Sequence, residues 1–340
     1  MKKYLLPESG NFYKANMHCH TTLSDGRLTP EEVKEAYKAQ GYSIVAFTDH
    51  DILIPHPELR DEDFLPLNGF EVEINDKVVD WDLTKTCHIC FVAKDPDNVT
   101  QPCYNPAYLF GNAPQYKHLV KYDENEPPYW KKRTHEGVSE IMQICRDRGF
   151  FVTYNHPVWS LEYHDDYIGY NGMHAMEMFN YSCIASGHDD YNPTVYEEFL
   201  RSGRKLYVVG GDDNHNVHPF GSPRCDSFGG FTVIKADKLE YKTVTDALEA
   251  GNFYASMGPE IYDLWYEDGE VHITCSDAVK ITLDTFSRSK RVAYGEKMGD
   301  IINEATFKLY DKEVYFRLTV TDATGKHACT NAYFLEDILK

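Results

Sequence analysis

Asn16-Met17-His18-Cys19-His20-Thr21-Thr22-Leu23-Ser24-Asp25-Gly26 is the stretch on which the reading of the fold turns, and Thr48-Asp49-His50-Asp51 is its counterpart further along the chain. In an extended segment successive side chains point to opposite faces, so His18 and His20 share a face and can grip one ion. A turn at Ser24-Asp25-Gly26 can carry a carboxylate to the same place, and imidazole with carboxylate suits zinc, manganese and iron. Between the two clusters Thr29-Pro30-Glu31-Glu32 has the marks of a helix start, with Thr29 as N-cap, Pro30 at the first position and Glu32 as capping-box partner. Gly41 should end that helix, and the apolar run Tyr42 to Phe47 then reads as a strand delivering Thr48-Asp49-His50 at its carboxyl end. Strand, helix, strand is the unit of a parallel sheet. Any one of these histidines alone would be an ordinary surface or hydrogen-bonded residue. Three of them, each closing an expected strand, read as ligands that converge at strand ends.

The pattern repeats outward. Phe64 to Ile74 reads as a strand carrying Glu71, with a turn near Asn75-Asp76 before a second strand from His88 to Ala93. The stretch 94–133, rich in Pro, Tyr, Asn and charge, has no sustained period and reads as an insertion, either a lid or pocket wall or a solvated excursion. A helix marked by Val138, Ile141, Met142 and Cys145 stops at Gly149. Phe150 to Tyr154 then ends in Asn155-His156-Pro157, His174 to Phe179 holds Glu177, and Lys205 to Val209 runs into Gly210-Gly211-Asp212-Asp213-Asn214-His215. Short strands whose ends present His or Asp follow the logic of a barrel, where separated ligands meet only if strand ends ring one mouth. After Gly258-Pro259 short β segments take over, with Asp268-Gly269 as a hairpin signal. The expected organisation is an α/β domain over residues 1–258 and a small all-β, sandwich-like domain over 259–340.

With 340 residues, 42% of them hydrophobic, the chain can bury a substantial core. Its formal charge of −20 argues against a long nucleic acid as partner, because phosphate backbones are gripped by Lys and Arg. The apolar run at Leu5-Leu6 is too short for a secretory segment and no later stretch could span a membrane, so a cytoplasmic protein without a membrane partner is expected. The nine cysteines are scattered and do not suggest a disulfide framework. Cys87-His88-Ile89-Cys90 lacks the second pair that a zinc ribbon needs.

Taken in order, His18-Cys19-His20-Thr21 with Ser24-Asp25-Gly26, Thr48-Asp49-His50, Gly69-Phe70-Glu71, His88, Asn155-His156-Pro157 and Asp213-Asn214-His215 resemble the PHP family, the polymerase and histidinol phosphatase group of metal-dependent hydrolases. The resemblance covers roughly residues 15–250, and Gly251-Asn252-Phe253-Tyr254-Ala255-Ser256 with Gly258-Pro259 looks like the stand-alone phosphoesterase branch. It implies a distorted (β/α)7 barrel with two or three divalent metal ions (Zn, Mn or Fe) at the carboxyl ends of its strands. On that likeness His18, His20 and Asp213 hold a first metal, Glu71 bridges to a second held by His88 and His156, and Asp25, His50 and His215 hold a third. Many members have histidine where this chain has Asp25, which puts the third position and its preferred metal in question.

Three carboxylates only half cancel three divalent ions, which leaves a pocket that favours anions. A hydroxide bridging two metals is a nucleophile near neutral pH. Hydrolysis of a small phosphorylated substrate without a covalent intermediate is therefore the expected reaction. The same metals could instead cleave a carboxyl ester, amide or carbamate, or the site could be an idle scaffold. Arg224, after the last motif, is a candidate phosphate contact, and Glu177 a candidate pocket residue or a support for a histidine ligand. Lys131, Lys132 and Arg133 read as a solvated charge run. His118, His135, His164, His174, His188 and His218 fit no ligand pattern.

Overall fold

The computed structural model describes residues 2–77 and 80–340. Its centre is a sheet begun by β2 (Asn11–Asn16), β3 (Ile44–Phe47) and β4 (Leu65–Asn75), all parallel. The helix Pro30–Ala39 crosses between β2 and β3 and carries the anticipated capping box, with Glu32 N–H donating to Thr29 Oγ1 (3.2 Å) and Thr29 N–H to Glu32 Oε2 (2.8 Å). Val33 and Tyr37 are its buried face. β5 (Thr86–Ala93) reverses direction, and β6 (Phe150–Tyr154), β7 (Ala175–Asn180) and β8 (Tyr207–Gly211) follow, with β6 to β8 mutually parallel. On the other side β2 pairs antiparallel with β9 (Phe231–Ala236), which pairs with β10 (Phe253–Ser256).

The expected barrel is not closed as a continuous ladder. β8 and β9 meet through one side chain, Thr232, whose hydroxyl accepts from Gly210 N–H (3.0 Å) and donates to Gly210 O (2.9 Å). Beyond the strands an isolated parallel bridge joins Cys19 to Asn214. The two edges are pressed together at glycines. A Cβ on Gly210 would lie 2.6 Å from Phe231 O, and one on Gly230 would lie 2.6 Å from Gly211 O. The architecture is a mixed α/β fold around a large parallel and antiparallel sheet.

The C-terminal strands extend that sheet and add a second layer. β13 (Lys280–Thr285), β16 (Tyr315–Thr321) and β17 (His327–Thr330) pair in turn, and β17 pairs with β10. β11 (Ile261–Glu267), β12 (Glu270–Ala278) and β15 (Ile302–Lys308) form the other layer with β1 (Lys3–Tyr4), and Glu267 faces Glu270 across the anticipated Asp268-Gly269 hairpin. Both layers share a core with the preceding α/β part of the chain: Ile261, Leu264, Leu318 and Val320 pack in one cluster with Tyr37 and Phe47. Among the described residues no helix is long and apolar enough to cross a membrane.

His174, at the start of β7, stacks on Phe151 and its Nδ1 accepts the Val152 N–H (3.0 Å). Burial, with Arg146 and Lys94 nearby, pushes its pKa down to about 3. The folded state therefore resists a proton that the unfolded chain accepts below about 6.5, so stability falls as the pH drops through that window. Between pH 7 and pH 5 the wild type should lose about 2 kcal/mol more than His174→Asn, by denaturant titration at each pH. Parallel losses in the two proteins would refute this.

Candidate metal centre

The expected ligands come together where the strands end. His18 and His20 follow β2, His50 follows β3, His156 follows β6, and Asp213 and His215 follow β8. Glu71 rises from within β4 and His88 from the start of the reversed β5. His18 Nε2 lies 3.1 Å from Glu71 Oε1 and 3.3 Å from Asp213 Oδ1, while His20 Nε2 lies 3.3 Å from Glu71 Oε2 and 3.0 Å from the same Asp213 oxygen. Glu71 also reaches His50 Nδ1 (3.2 Å), His88 Nδ1 (3.2 Å) and His156 Nε2 (3.5 Å). Asp25 stands 3.5 Å from His215 Nε2, 3.7 Å from His20 Nδ1 and 3.9 Å from His50 Nε2.

Among the described residues five groups have metal-binding spacing, including His18, His20 and Asp213; His50, Glu71 and His88; and His20, Asp25, His50 and His215. The first and third match the sets drawn from the resemblance, the third with His20 added. In the second, His50 stands where His156 was expected. His156 groups instead with His18 and Glu177.

Local structure explains the aim of these side chains. Asp49 is buried and accepts four hydrogen bonds, from Thr21 N (2.8 Å), Thr21 Oγ1 (2.9 Å), Ser24 N (3.1 Å) and Ser24 Oγ (2.7 Å), which folds the turn that carries His20 and Asp25. Gly26 is required there, since a Cβ would sit 2.7 Å from the His20 carbonyl. His156 (φ +21°) and Asp213 (φ +54°) both lie in the left-handed region, as the chain bends sharply off β6 and β8. Asp226 accepts the His215 and Asn216 N–H groups (2.8 and 2.9 Å) and holds the last motif in place.

Glu177 supports the ligands from behind. It is buried; its Oε1 lies 2.8 Å from His18 Nδ1, and its Oε2 accepts from His156 N (3.0 Å) and Asn180 Nδ2 (2.9 Å). This fixes the His18 ring with Nε2 facing the centre. Asn155 Nδ2 donates to Glu71 Oε1 (2.8 Å), and Asn180 Nδ2 to Asp213 Oδ2 (3.1 Å). Asn180 and Asp226 had no signal in the sequence, because their partners lie far along the chain or on the next turn. Asp49 stood inside a quoted motif but carried no sign of its bonding role. Glu177→Gln should lower metal affinity roughly 10- to 100-fold, the range for outer partners of ligating histidines, when metal is titrated into chelator-treated protein. Unchanged affinity would remove Glu177 from this role.

Burial disfavours charge on His18 and His20, yet Asp213 and Glu71 outweigh it and hold both pKa values well above the ordinary one. His50 goes the other way: burial and the neighbouring His20 push it down to about 3. Glu71, despite complete burial, is held well below the carboxylate range by the surrounding histidines. Among the described residues the cluster also strands buried atoms without a hydrogen-bond partner: His20 Nδ1, His50 Nδ1, His88 Nε2, Glu71 Oε2 and Asp213 Oδ1. Each would cost about 1–3 kcal/mol if left so. Divalent cations would satisfy these nitrogen and oxygen donors together, displacing protons from the imidazoles. The donor set fits divalent metal ions.

The centre lies at the floor of a cavity of about 670 Å3. Tyr108 and Phe110 of the 94–133 insertion form one wall, with the Phe110 ring 4.7 Å from that of His50, and Trp81 and Trp159 form another. Arg224 does not line it; the residue is exposed on the loop after the last motif. Two residues of the expected solvated run have buried side chains instead. Lys131 bonds Asp51 Oδ1 (2.5 Å) and Glu73 O (2.8 Å), and Arg133 bonds Glu162 Oε1 (2.7 Å). Their partners lie elsewhere in the chain, so the charge run looked solvated when read alone.

The model of the PHP domain matches residues 16–201, which spans every ligand up to His156. The chain belongs to the PHP domain family. Asp213 and His215 of this PHP protein lie beyond the matched segment and join the site by geometry alone. A 5'-3' exoribonuclease of Haemophilus influenzae is 45% identical over 40 residues, which is 12% of this chain and 15% of that enzyme. The match thus spans a small part of that relative. Among solved structures, a two-domain protein from Bacteroides vulgatus described as containing a predicted PHP-like metal-dependent phosphoesterase is 14% identical, with a TM-score of 0.45 and 98% of each chain covered. An amidohydrolase from Chromobacterium violaceum with bound sulfate is 20% identical, with a TM-score of 0.35 over 59% of this chain and 87% of that one. Likenesses this distant carry no functional argument.

Proposed function

We propose that this protein is a metal-dependent phosphoesterase that hydrolyses a small phosphorylated substrate. The carrying observation is the convergence of His18, His20, Glu71 and Asp213, with stranded buried donor atoms, at the floor of a cavity sized for a small molecule. His18, His20 and Asp213 would hold one divalent ion, Glu71 with His88 and His156 a second, and Asp25 with His50 and His215 a third. Bound divalent ions would supply Lewis-acid polarisation of a phosphoryl group and activation of water for in-line attack.

The chain's own groups favour direct attack by water. Cys183 lines the cavity, but burial raises its thiol pKa well above the usual value, so it stays protonated and a poor nucleophile. Ser182 and Ser186 also line it, and no hydrogen bond to a histidine or carboxylate side chain activates either among the described residues. Glu177 holds the His18 ring, Asn155 holds Glu71, and Phe110 and Trp159 limit water around the ligands. The oxygen-bearing Asp25 fits manganese or iron at the third position as well as zinc. With a formal charge of −20, a long nucleic acid remains outside this reading.

The test is phosphate release from a panel of phosphomonoesters and phosphodiesters by manganese-reconstituted protein, with Asp213→Asn as control. Release that the variant abolishes supports the reading, and oxygen-18 from solvent in the released phosphate supports water attack. Silence across the panel with metal bound would move the assignment to ester, amide or carbamate hydrolysis, and a stable phosphoprotein would contradict the mechanism.

A further inference from the structure

The cavity has an uneven chemistry. Its floor is the cluster of histidines and carboxylates, whereas its rim is aromatic: Tyr108 and Phe110 on one side, Trp81 and Trp159 on the other. Among the described residues no lysine or arginine lines it. Lys131 is committed to Asp51 and to the Glu73 carbonyl. Trp159 is fixed edge-on against His88 (5.3 Å between ring centres) and His156 (5.1 Å). Trp81 meets Trp159 at 67° with centres 6.1 Å apart, yet is 70% exposed. A tryptophan that leans on a rigid partner beside the centre, with most of its surface in water, has a face free for a ring.

We propose that the part of the substrate leaving with the ester oxygen is a flat, uncharged aromatic ring that stacks on Trp81 and Trp159 while its single phosphate sits at the metal centre. This rests on the phosphoesterase reading and narrows it to aryl or arylalkyl phosphomonoesters. A second phosphate or a polyphosphate would find no lysine or arginine on the walls and would face Glu73 there. Stacking on the exposed face contributes without charge, and one well-placed ring changes affinity roughly 2- to 12-fold.

The experiment separates binding from turnover. Benzyl phosphonate and propyl phosphonate, which cannot be hydrolysed, are titrated into the manganese-loaded protein, following tryptophan fluorescence and calorimetric heat. The same protein is assayed on benzyl phosphate and propyl phosphate. The expected result is benzyl phosphonate binding roughly 2- to 12-fold tighter than propyl phosphonate, with the preference collapsing towards one in Trp81→Ala and returning in Trp81→Phe. Trp81 is mostly exposed, so the alanine variant should fold, and circular dichroism checks it. Equal affinities in the wild type, or a preference that survives Trp81→Ala, would overturn the proposal even where phosphate is released. A ring preference without any hydrolysis would leave the subsite standing and remove the phosphoesterase reading.

Discussion

Glu71→Gln should lower turnover at least about 100-fold, the upper end of the cost of losing a mere outer partner of a metal ligand. Its two oxygens reach His18, His20, His50, His88 and His156, so one carboxylate joins groups that otherwise belong to separate strands. Glutamine is nearly isosteric but neutral. It would remove the charge that holds the surrounding imidazoles together and present an amide NH2 to nitrogens that need an acceptor or a metal. Metal content measured beside activity distinguishes the causes: both should fall. Wild-type turnover in a folded Glu71→Gln variant would remove Glu71 from the centre.

The second large effect is on stability. Lys131 and Asp51 form a pair whose side chains are 3% and 7% exposed. Asp51 sits in the left-handed region at φ +58°, directly after His50. Lys131→Met strands a buried carboxylate and should cost about 3–5 kcal/mol, read as a shift in the denaturant midpoint. Adding Asp51→Asn should recover most of that loss, because replacing both partners of a buried pair is often close to neutral. A Lys131→Met variant as stable as wild type, or a double variant no better than the single one, would contradict this account. The pair also explains how the insertion is held against the site, since Lys131 closes the insertion while Tyr108 and Phe110 within it wall the cavity.

The parts of the fold that could be read in advance were those written in side-chain pattern. Phe150–Tyr154, apolar except for Thr153, lies between Gly149 and Asn155, and it is a strand over those residues. The capping box at Thr29 and Glu32 and the hairpin at Asp268-Gly269 are local, so their chemistry is complete within a few residues. Closure of the barrel was not legible, because it depends on whether backbone groups of Gly210 and Phe231 meet, and there a threonine hydroxyl intervenes. At the site, the ligands were legible because histidines and acids at strand ends have few other uses. What holds them was harder to see. Glu177 lies 159 residues from His18, and Asp226 acts through its bond to the His215 backbone. Lys131 shows the same limit, as a lysine among other charges whose burial is decided by a carboxylate 80 residues away.

The most direct measurement is the metal content of chelator-treated, reconstituted protein by inductively coupled plasma mass spectrometry, compared with the His18→Ala/His20→Ala variant. The account predicts about two or three divalent ions per wild-type chain, as expected of a multi-metal hydrolase centre, and a clear drop in the variant. A wild-type protein that retains no divalent ion, or a variant that binds as many, would contradict it.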